Sequence, residues 1–377
     1  MVKKIFICFG TRPEAIKMAP LVHELKKHLK VIVCVTSQHK KMLYQILEFF
    51  EIKPDVDLKV MKKNQDLFYI TSKIIIKLRD YLTKEKPDLV LVHGDTTTTM
   101  ATSIASFYSK IPLGHIEAGL RTYDLMSPYP EEFNRVITSK VSHYHFSPTK
   151  SSMINLIKEG INKKNIYVTG NTVVDALLFT VKKVRTLDFD KALLKKIPFL
   201  KLKKQNLPKI ILVTGHRRES FGSGFKNICI ALKKISKNNK NTQIIYPVHL
   251  NPNVQKPVKK LLSDIPNIYL IPPLDYQMFV KLMDLSYIII TDSGGIQEEA
   301  PSLGKPVLIM RNKTERPEAI KSGAAELVGT DPKTITSKVD KLFKDDILYD
   351  RMSKAINPFG DGKASKKILK TILKLNK

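Results

Sequence analysis

The run IIITDSGGIQEEAPSLG, Ile288 to Gly304, combines residue types that favour an anion. An apolar stretch ends at Thr291-Asp292-Ser293, passes through Gly294-Gly295, and enters a helix-like segment from Ile296 to Leu303. A strand, a glycine turn and a helix N-terminus aim free N–H groups and the positive end of the helix dipole at one spot. Paired glycines let the backbone approach a phosphate closely. Glu298 and Glu299 follow about one turn in, where a carboxylate reaches ribose hydroxyls. A plainer reading is a helix capped by Ser293. A helix terminus contributes only about 0.3–1 kcal/mol to an anion, so a phosphorylated ligand also needs cations. Arg12 and Lys17, flanking the first strand–helix turn, and Arg316, after a late strand, are the candidates. Each alone would pass for a surface ion pair; together they match a diphosphate.

The second set of reactive types is acidic. Asp95 precedes Thr96 to Thr99, where it reads either as a helix N-cap or as a proton-transfer group. Glu131 and Glu132 follow Pro128-Tyr129-Pro130 and equally suit a helix dipole. Glu117 lies between Ile116 and Ala118-Gly119, and a carboxylate in apolar company needs a partner. Three carboxylates at neighbouring strand ends suit proton transfer and stabilisation of positive charge at carbon. His216 is a capping or core imidazole, or one that meets a leaving phosphate. No HExxH, CxxC or GxSxG occurs, and Gly222-Ser223-Gly224 lacks the third glycine of a dinucleotide fingerprint. No nicotinamide or metal site is expected.

These residues must be held by a scaffold. Short apolar runs read as strands at Lys4–Phe9, Val31–Thr36, Leu89–His93, Tyr144–Ser147 and Ile166–Thr169. A second set covers Ile210–Thr214, Gln243–Val248, Ile268–Ile271, Tyr287–Thr291 and Val307–Met310. Crossovers of helical pattern between them imply parallel sheets and βαβ units. Nearly every unusual polar cluster falls just after a strand: Gly10 to Glu14, His93-Gly94-Asp95, His115 to Gly119, Gly170-Asn171-Thr172, Gly215 to Glu219, His249 to Pro252, Asp292 to Gly295, and Arg311 to Glu318. The expected architecture is α/β, two doubly wound Rossmann-like domains over residues 1–170 and 171–360. A C-terminal amphipathic helix, 364–377, packs back on the first. The ligand site is expected at the carboxyl ends of the strands, facing an interdomain cleft. The lysine-dense segment Lys182 to Lys209 reads as an early excursion of the second domain.

Composition narrows the class. A chain of 377 residues has the length of about two domains. A net charge of +29 raises nucleic acid as a partner, but only ten of the 64 basic residues are arginine. Base readers favour arginine's bidentate fork, whereas scattered lysines make a solvated surface. No nucleic-acid-binding signature appears. No apolar run approaches the ~18–20 residues of a membrane span, and Met1 to Gly10 reads as a first strand rather than a leader. Cys8, Cys34 and Cys229 have no metal or redox spacing and read as buried thiols. A cytoplasmic enzyme, with neither nucleic-acid partner nor membrane insertion, is expected.

The motifs GTRPEAIKMAPL (10–21), VHGDTTTTMA (92–101), HIEAGLRT (115–122), PYPEEFNR (128–135), VTGHRRESFG (213–222), YPVHLNPNV (246–254), TDSGGIQEEAPSLGKPVL (291–308) and ERPEA (315–319) resemble those of the non-hydrolysing UDP-N-acetylglucosamine 2-epimerases of bacteria. The resemblance spans essentially the whole chain, in order. It implies a GT-B fold, a homodimer, and reversible epimerisation at C2 of UDP-GlcNAc to UDP-ManNAc for surface polysaccharide synthesis, with no cofactor. By resemblance, Arg12, Lys17, Ser293, Gly294, Gly295, Glu299 and Arg316 hold the UDP phosphates and ribose, and Phe279 lies beside the uracil. Leu274 stands where close relatives often carry glutamine, a position at which a backbone contact survives the change. Asp95, Glu117, Glu131 and His216 match the catalytic set. Gln38 and His249 fit a second, activating UDP-GlcNAc site. Lys41 and Asn64 depart from that site's pattern, in which glutamine and arginine stand.

The implied reaction expels UDP first, because no carbonyl acidifies the C2 hydrogen. The oxocarbenium-like carbon then acidifies it, a carboxylate accepts the proton, and a 2-acetamidoglucal forms before UDP adds back. Which carboxylate is the base is left open by the sequence. A GT-B glycosyltransferase and a hydrolysing epimerase are the rival readings among enzymes; a basic nucleic-acid or sensor protein is the rival outside them.

Overall fold

Among the described residues, thirteen strands, most of them apolar runs, form two fully parallel sheets. The structure is a computed structural model that describes residues 2–37, 40–62 and 65–375. Gln38 and Asn64, and the side chain of Lys41, lie outside the described residues. The chain divides into two units, Met1–Ala176 with Phe359–Lys377, and Leu177–Pro358.

In the first unit the strands are β1 (Lys4–Phe9), β2 (Lys30–Val35), β3 (Val56–Asp57), β4 (Leu89–His93), β5 (Leu113–Ile116), β6 (Tyr144–Ser147) and β7 (Ile166–Val168). They lie in the order β3-β2-β1-β4-β5-β6-β7. Helices cover the sheet with apolar stripes; Leu67–Glu85 buries Ile70, Ile74, Leu78 and Leu82, every fourth residue. These pack with Phe6, Cys8, Ile32, Cys34, Val90 and Val92. Cys8 and Cys34 face each other in register between β1 and β2, both buried and free. Burial pushes the Cys34 thiol up, so it stays protonated and unreactive.

In the second unit the strands are β8 (Lys209–Thr214), β9 (Thr242–Pro247), β10 (Ile268–Ile271), β11 (Ile288–Thr291), β12 (Val307–Ile309) and β13 (Ala325–Leu327), in the order β10-β9-β8-β11-β12-β13. The core includes Ile211, Val213, Phe225, Leu232, Tyr246, Ile290 and Leu308. Lys182 to Lys209 folds as the end of one helix, the short helix Lys191–Lys196 and two 3-10 turns leading into β8.

The first strand of each sheet lies in its middle, and the order reverses beside it: between β1 and β4 in one sheet, between β8 and β11 in the other. Crossovers leave on opposite faces there, so a crevice opens outside the carboxyl ends. The polar clusters after β1, β4, β8 and β11 therefore lie at the two switch points.

The helix Ala364–Lys374 buries Ile368, Leu369 and Ile372 and packs against the helix Arg12–Lys26. The Asp175 carboxylate accepts both backbone N–H groups at its start, Ala364 at 3.1 Å and Ser365 at 2.8 Å. Among the described residues no helix is long and apolar enough to cross a membrane.

Candidate active site

At the switch point of the first sheet, β1 runs into Gly10-Thr11 and the helix Arg12–Lys26. A Cβ at Gly10 would collide with the hydroxyls of Thr36 and Thr98, so only glycine lets the strand end approach its neighbours this closely. The buried Glu14 carboxylate accepts the N–H of Gly10 at 3.0 Å and of Thr11 at 2.8 Å, a capping box. It also accepts the Thr96 and Thr99 hydroxyls at 2.8 and 3.2 Å, tying this turn to the start of the helix Thr97–Tyr108. Arg12 is the first helical residue, half-buried, and its guanidinium has no hydrogen-bond partner among the described residues.

Glu117 follows β5 directly and is 8% exposed. Its φ of +65° lies in the left-handed region, which a non-glycine residue enters at a cost of order 1–3 kcal/mol and retains chiefly at functional sites. Its Oε2 accepts from Lys17 Nζ at 2.5 Å and from Asn171 Nδ2 at 2.7 Å. His93 Nε2, at the end of β4, lies 3.8 Å from the same oxygen. Lysine, asparagine and histidine thus converge on one carboxylate from three elements.

Asp95 does not cap the helix after it; Thr96 does, accepting the N–H of Thr99 at 3.1 Å. Asp95 Oδ2 instead accepts from Arg135 Nη2 at 2.6 Å, and its carbonyl from Asn134 Nδ2 at 2.9 Å. Arg135 also pairs with Glu132, Nη1 to Oε2 at 3.1 Å. Glu132 is buried and takes the N–H groups of Thr122 and Tyr123, fixing that turn. Its neighbour Glu131 opens the helix Glu131–Val141, half-buried, with no hydrogen bond among the described residues. Of this adjacent pair one is committed to structure and the other is available for chemistry.

At the switch point of the second sheet, Asp292 is fully buried. Its Oδ2 accepts the backbone N–H of His216 at 2.7 Å and of Arg217 at 2.8 Å, joining the turns after β8 and β11. The His216 Nδ1 lies 3.3 Å from Oδ1, and its ring stacks on His249 at 5.5 Å. Burial lowers the His216 pKa against the opposing pull of Asp292, which favours the neutral imidazole at pH 7. Ser293 is the N-cap of the helix Gly294–Glu299 by position, but its hydroxyl makes no capping bond. Gly295 has no heavy atom nearer its missing Cβ than Ser293 Oγ at 4.0 Å, which leaves the turn open to a ligand.

Arg316 lies over Gly294, with its Cζ 3.4 Å from where a Cβ would stand. Its Nε donates to Glu298 Oε1 at 2.8 Å. Glu299 is held by the Tyr276 hydroxyl at 3.1 Å, from the helix that carries Phe279. Leu274 is half-buried in the loop before that helix. The two adjacent glutamates again divide: Glu298 pairs with Arg316, and Glu299 with the Tyr276 hydroxyl. Behind them Arg311 holds Glu219 at 2.6 Å and Glu315 at 2.8 Å, and that pairing brings the Glu315 pKa to about 2.

Asn171, His93, Arg135 and Asp292 carry no role in the sequence reading, although His93, Asn171 and Asp292 stand in its post-strand clusters and Arg135 closes PYPEEFNR. Strand-end position is the signal that finds the first three. Among the described residues no three His, Cys, Asp or Glu side chains are placed to hold a metal ion.

A family model described as UDP-N-acetylglucosamine 2-epimerase matches residues 23–373. The chain belongs to this family. It is 56% identical to the UDP-N-acetylglucosamine 2-epimerase of Campylobacter jejuni over 99% of this chain and 98% of that one. It is 55% identical to the Salmonella typhimurium enzyme of the same name, over 98% of each. The crystal structure of UDP-GlcNAc 2-epimerase from Neisseria meningitidis, bound to UDP-GlcNAc, is similar at a TM-score of 0.88 and 51% identity, covering 98% of this chain and all of that one. The paired Rossmann-like sheets expected from the sequence are those of this 2-epimerase family.

The first sheet of this 2-epimerase carries an acid-sensitive element. His93, His115 and His145 end or lie within β4, β5 and β6, all nearly inaccessible. Burial lowers their pKa values to about 4, 3 and 4. Below an unfolded-state value near 6.5 the unfolded chain gains protons that the native sheet refuses. Stability therefore falls as pH drops from about 6.5 toward 4, with a limiting slope of about 1.4 kcal/mol per pH unit for each imidazole. Glu14 and Asp175, raised by burial, act in the opposite sense, but the three imidazoles outnumber them. The urea midpoint is expected to fall between pH 7 and 5. An unchanged midpoint would contradict neutral imidazoles.

Proposed function

We propose that the protein interconverts UDP-N-acetylglucosamine and UDP-N-acetylmannosamine by elimination and re-addition of UDP. The observation that carries this reading is the arrangement of Asp95, Glu117 and Glu131 at the ends of β4 and β5 and the start of a neighbouring helix, in a member of the 2-epimerase family. None of the three caps a helix through its side chain, and Glu131 is unpartnered among the described residues. The name and bound ligand of the Neisseria meningitidis structure support the substrate.

The chemistry follows from the charges. The C1–O bond breaks and its electron pair leaves with UDP, which Arg12, Arg316 and the amides at Ser293 to Gly295 stabilise. Neutral His216 donates a hydrogen bond to the departing phosphate. The cationic C1 acidifies the C2 hydrogen; its bonding pair becomes the C1–C2 double bond and a carboxylate takes the proton. A proton delivered to the other face of C2, and attack of a UDP oxygen on C1, complete the inversion. Glu299 and Tyr276 suit the ribose side and Phe279 the uracil.

We place the enzyme in the cytoplasm as a homodimer supplying surface polysaccharide synthesis. Phe68, 85% exposed, with Met100, Tyr129 and Phe133, lines an apolar hollow of about 630 Å³ on the first unit. Exposed apolar surface of this kind supports association; sedimentation velocity across concentrations tests it.

Incubation with UDP-GlcNAc in D2O, without NAD or an acceptor, is expected to place deuterium at C2 and form UDP-ManNAc. Absence of both label and epimer overturns the reading. Free ManNAc with UDP as main products would assign the hydrolysing reaction, and sugar transfer only on adding an acceptor would assign a glycosyltransferase.

A further inference from the structure

The Lys17–Glu117 pair presents a chemical conflict. Glu117 is to accept a proton, yet Lys17 Nζ sits 2.5 Å from its Oε2, which favours the ionised carboxylate and makes it a poor base. Lys17 is also the residue matched to the diphosphate. An ammonium that turns all three of its donors to phosphate oxygens has none left for Glu117.

A third group beside this pair addresses the conflict. His93 is 3% exposed, and its Nε2 has no hydrogen-bond partner among the described residues. A buried nitrogen left unsatisfied costs about 1–3 kcal/mol, and such atoms in native proteins call for a reason. This one points at Glu117 Oε2 from 3.8 Å, slightly beyond bonding range. Burial keeps the ring neutral at pH 7, so it can give a carboxylate one N–H without bringing a charge. Behind it, His115 Nε2 is engaged with the Gly94 carbonyl at 2.7 Å and is neutral too.

We propose that Lys17 serves two partners in turn: it holds Glu117 as seen here, passes to the diphosphate when nucleotide binds, and leaves Glu117 to the His93 imidazole. The transfer couples binding to chemistry. Exchanging an ammonium for a neutral N–H makes the carboxylate more basic at the moment a base is required, and the phosphate gains the charge the carboxylate loses. His93 is then a positioning residue that keeps Glu117 in its left-handed conformation while Lys17 is engaged elsewhere. This inference rests on the epimerase reading of the site.

The test is calorimetry of UDP binding near pH 5.5 in buffers of different ionisation enthalpy, which counts protons exchanged per nucleotide. The wild-type protein is expected to take up more protons than Glu117→Gln, the difference approaching one as pH falls; proton release from UDP itself is common to both. Lys17→Met should abolish the difference. His93→Leu should lower kcat by roughly tenfold or more, the worth of one hydrogen bond to a charged group, with UDP affinity unchanged, and His93→Gln, which retains an N–H, should recover much of it. Equal proton counts in wild type and Glu117→Gln, with both binding UDP, overturn the transfer and leave the epimerase reading standing. Failure of the wild type to bind UDP overturns the nucleotide reading itself.

Discussion

Glu117→Gln is expected to lower kcat by about 10²–10⁴ while UDP binds as tightly as before or more so. The amide is nearly isosteric, its oxygen can still accept from Lys17 and Asn171, and the left-handed backbone at φ +65° is unaltered. What is lost is the capacity to take a proton, together with the charge that holds Lys17. Folding should change little, so the denaturation midpoint serves as the control. Retained turnover with lost UDP affinity would remove Glu117 from the chemistry and make it a structural anchor for Lys17.

Arg316→Met is expected to fail in two separable ways. Its Nε donates to Glu298, which is 1% exposed, and breaking a buried ion pair by removing one member costs about 3–5 kcal/mol. The guanidinium also covers Gly294 at the open turn, and its hydrogen bonds to phosphate are worth about 1.5–3 kcal/mol, a loss of roughly 10–100-fold in UDP affinity. Adding Glu298→Gln to Arg316→Met should restore much of the stability and none of the affinity. Recovery of both would show that the arginine only neutralises Glu298.

Much of this arrangement is visible in the sequence because parallel sheets place function at strand ends. β1, β4, β6 and β10 occupy the residues their apolar runs indicate, and the polar clusters follow as the topology requires. β3, with two residues, and β13, with three, are too short for an alternating or apolar pattern to register. β5, LGHI, carries a glycine and a histidine where a buried strand usually has branched side chains. Choices between neighbours are beyond sequence as well. Glu131 and Glu132 look alike, and so do Glu298 and Glu299. Rotation of about 100° per helical residue gives the members of each pair different surroundings: Glu132 pairs with Arg135 while Glu131 pairs with no side chain among the described residues, and Glu298 meets Arg316 while Glu299 meets Tyr276. Asp95 reads as a cap until Arg135, forty residues later, is seen to hold it.

Because Phe359–Lys377 belongs with Met1–Ala176, the second unit is an insertion carried within the first. Residues 359–377 leave the ribosome after the whole of that insertion, so the helix bearing Arg12 and Lys17 waits for its packing partner until the β8–β13 sheet has been synthesised. Translation order thus opposes spatial order: the elements that present the first two cations are made earliest and supported last. Damage near residue 370 would be felt first by residues near the amino terminus, not by the nucleotide turn that is closer in sequence.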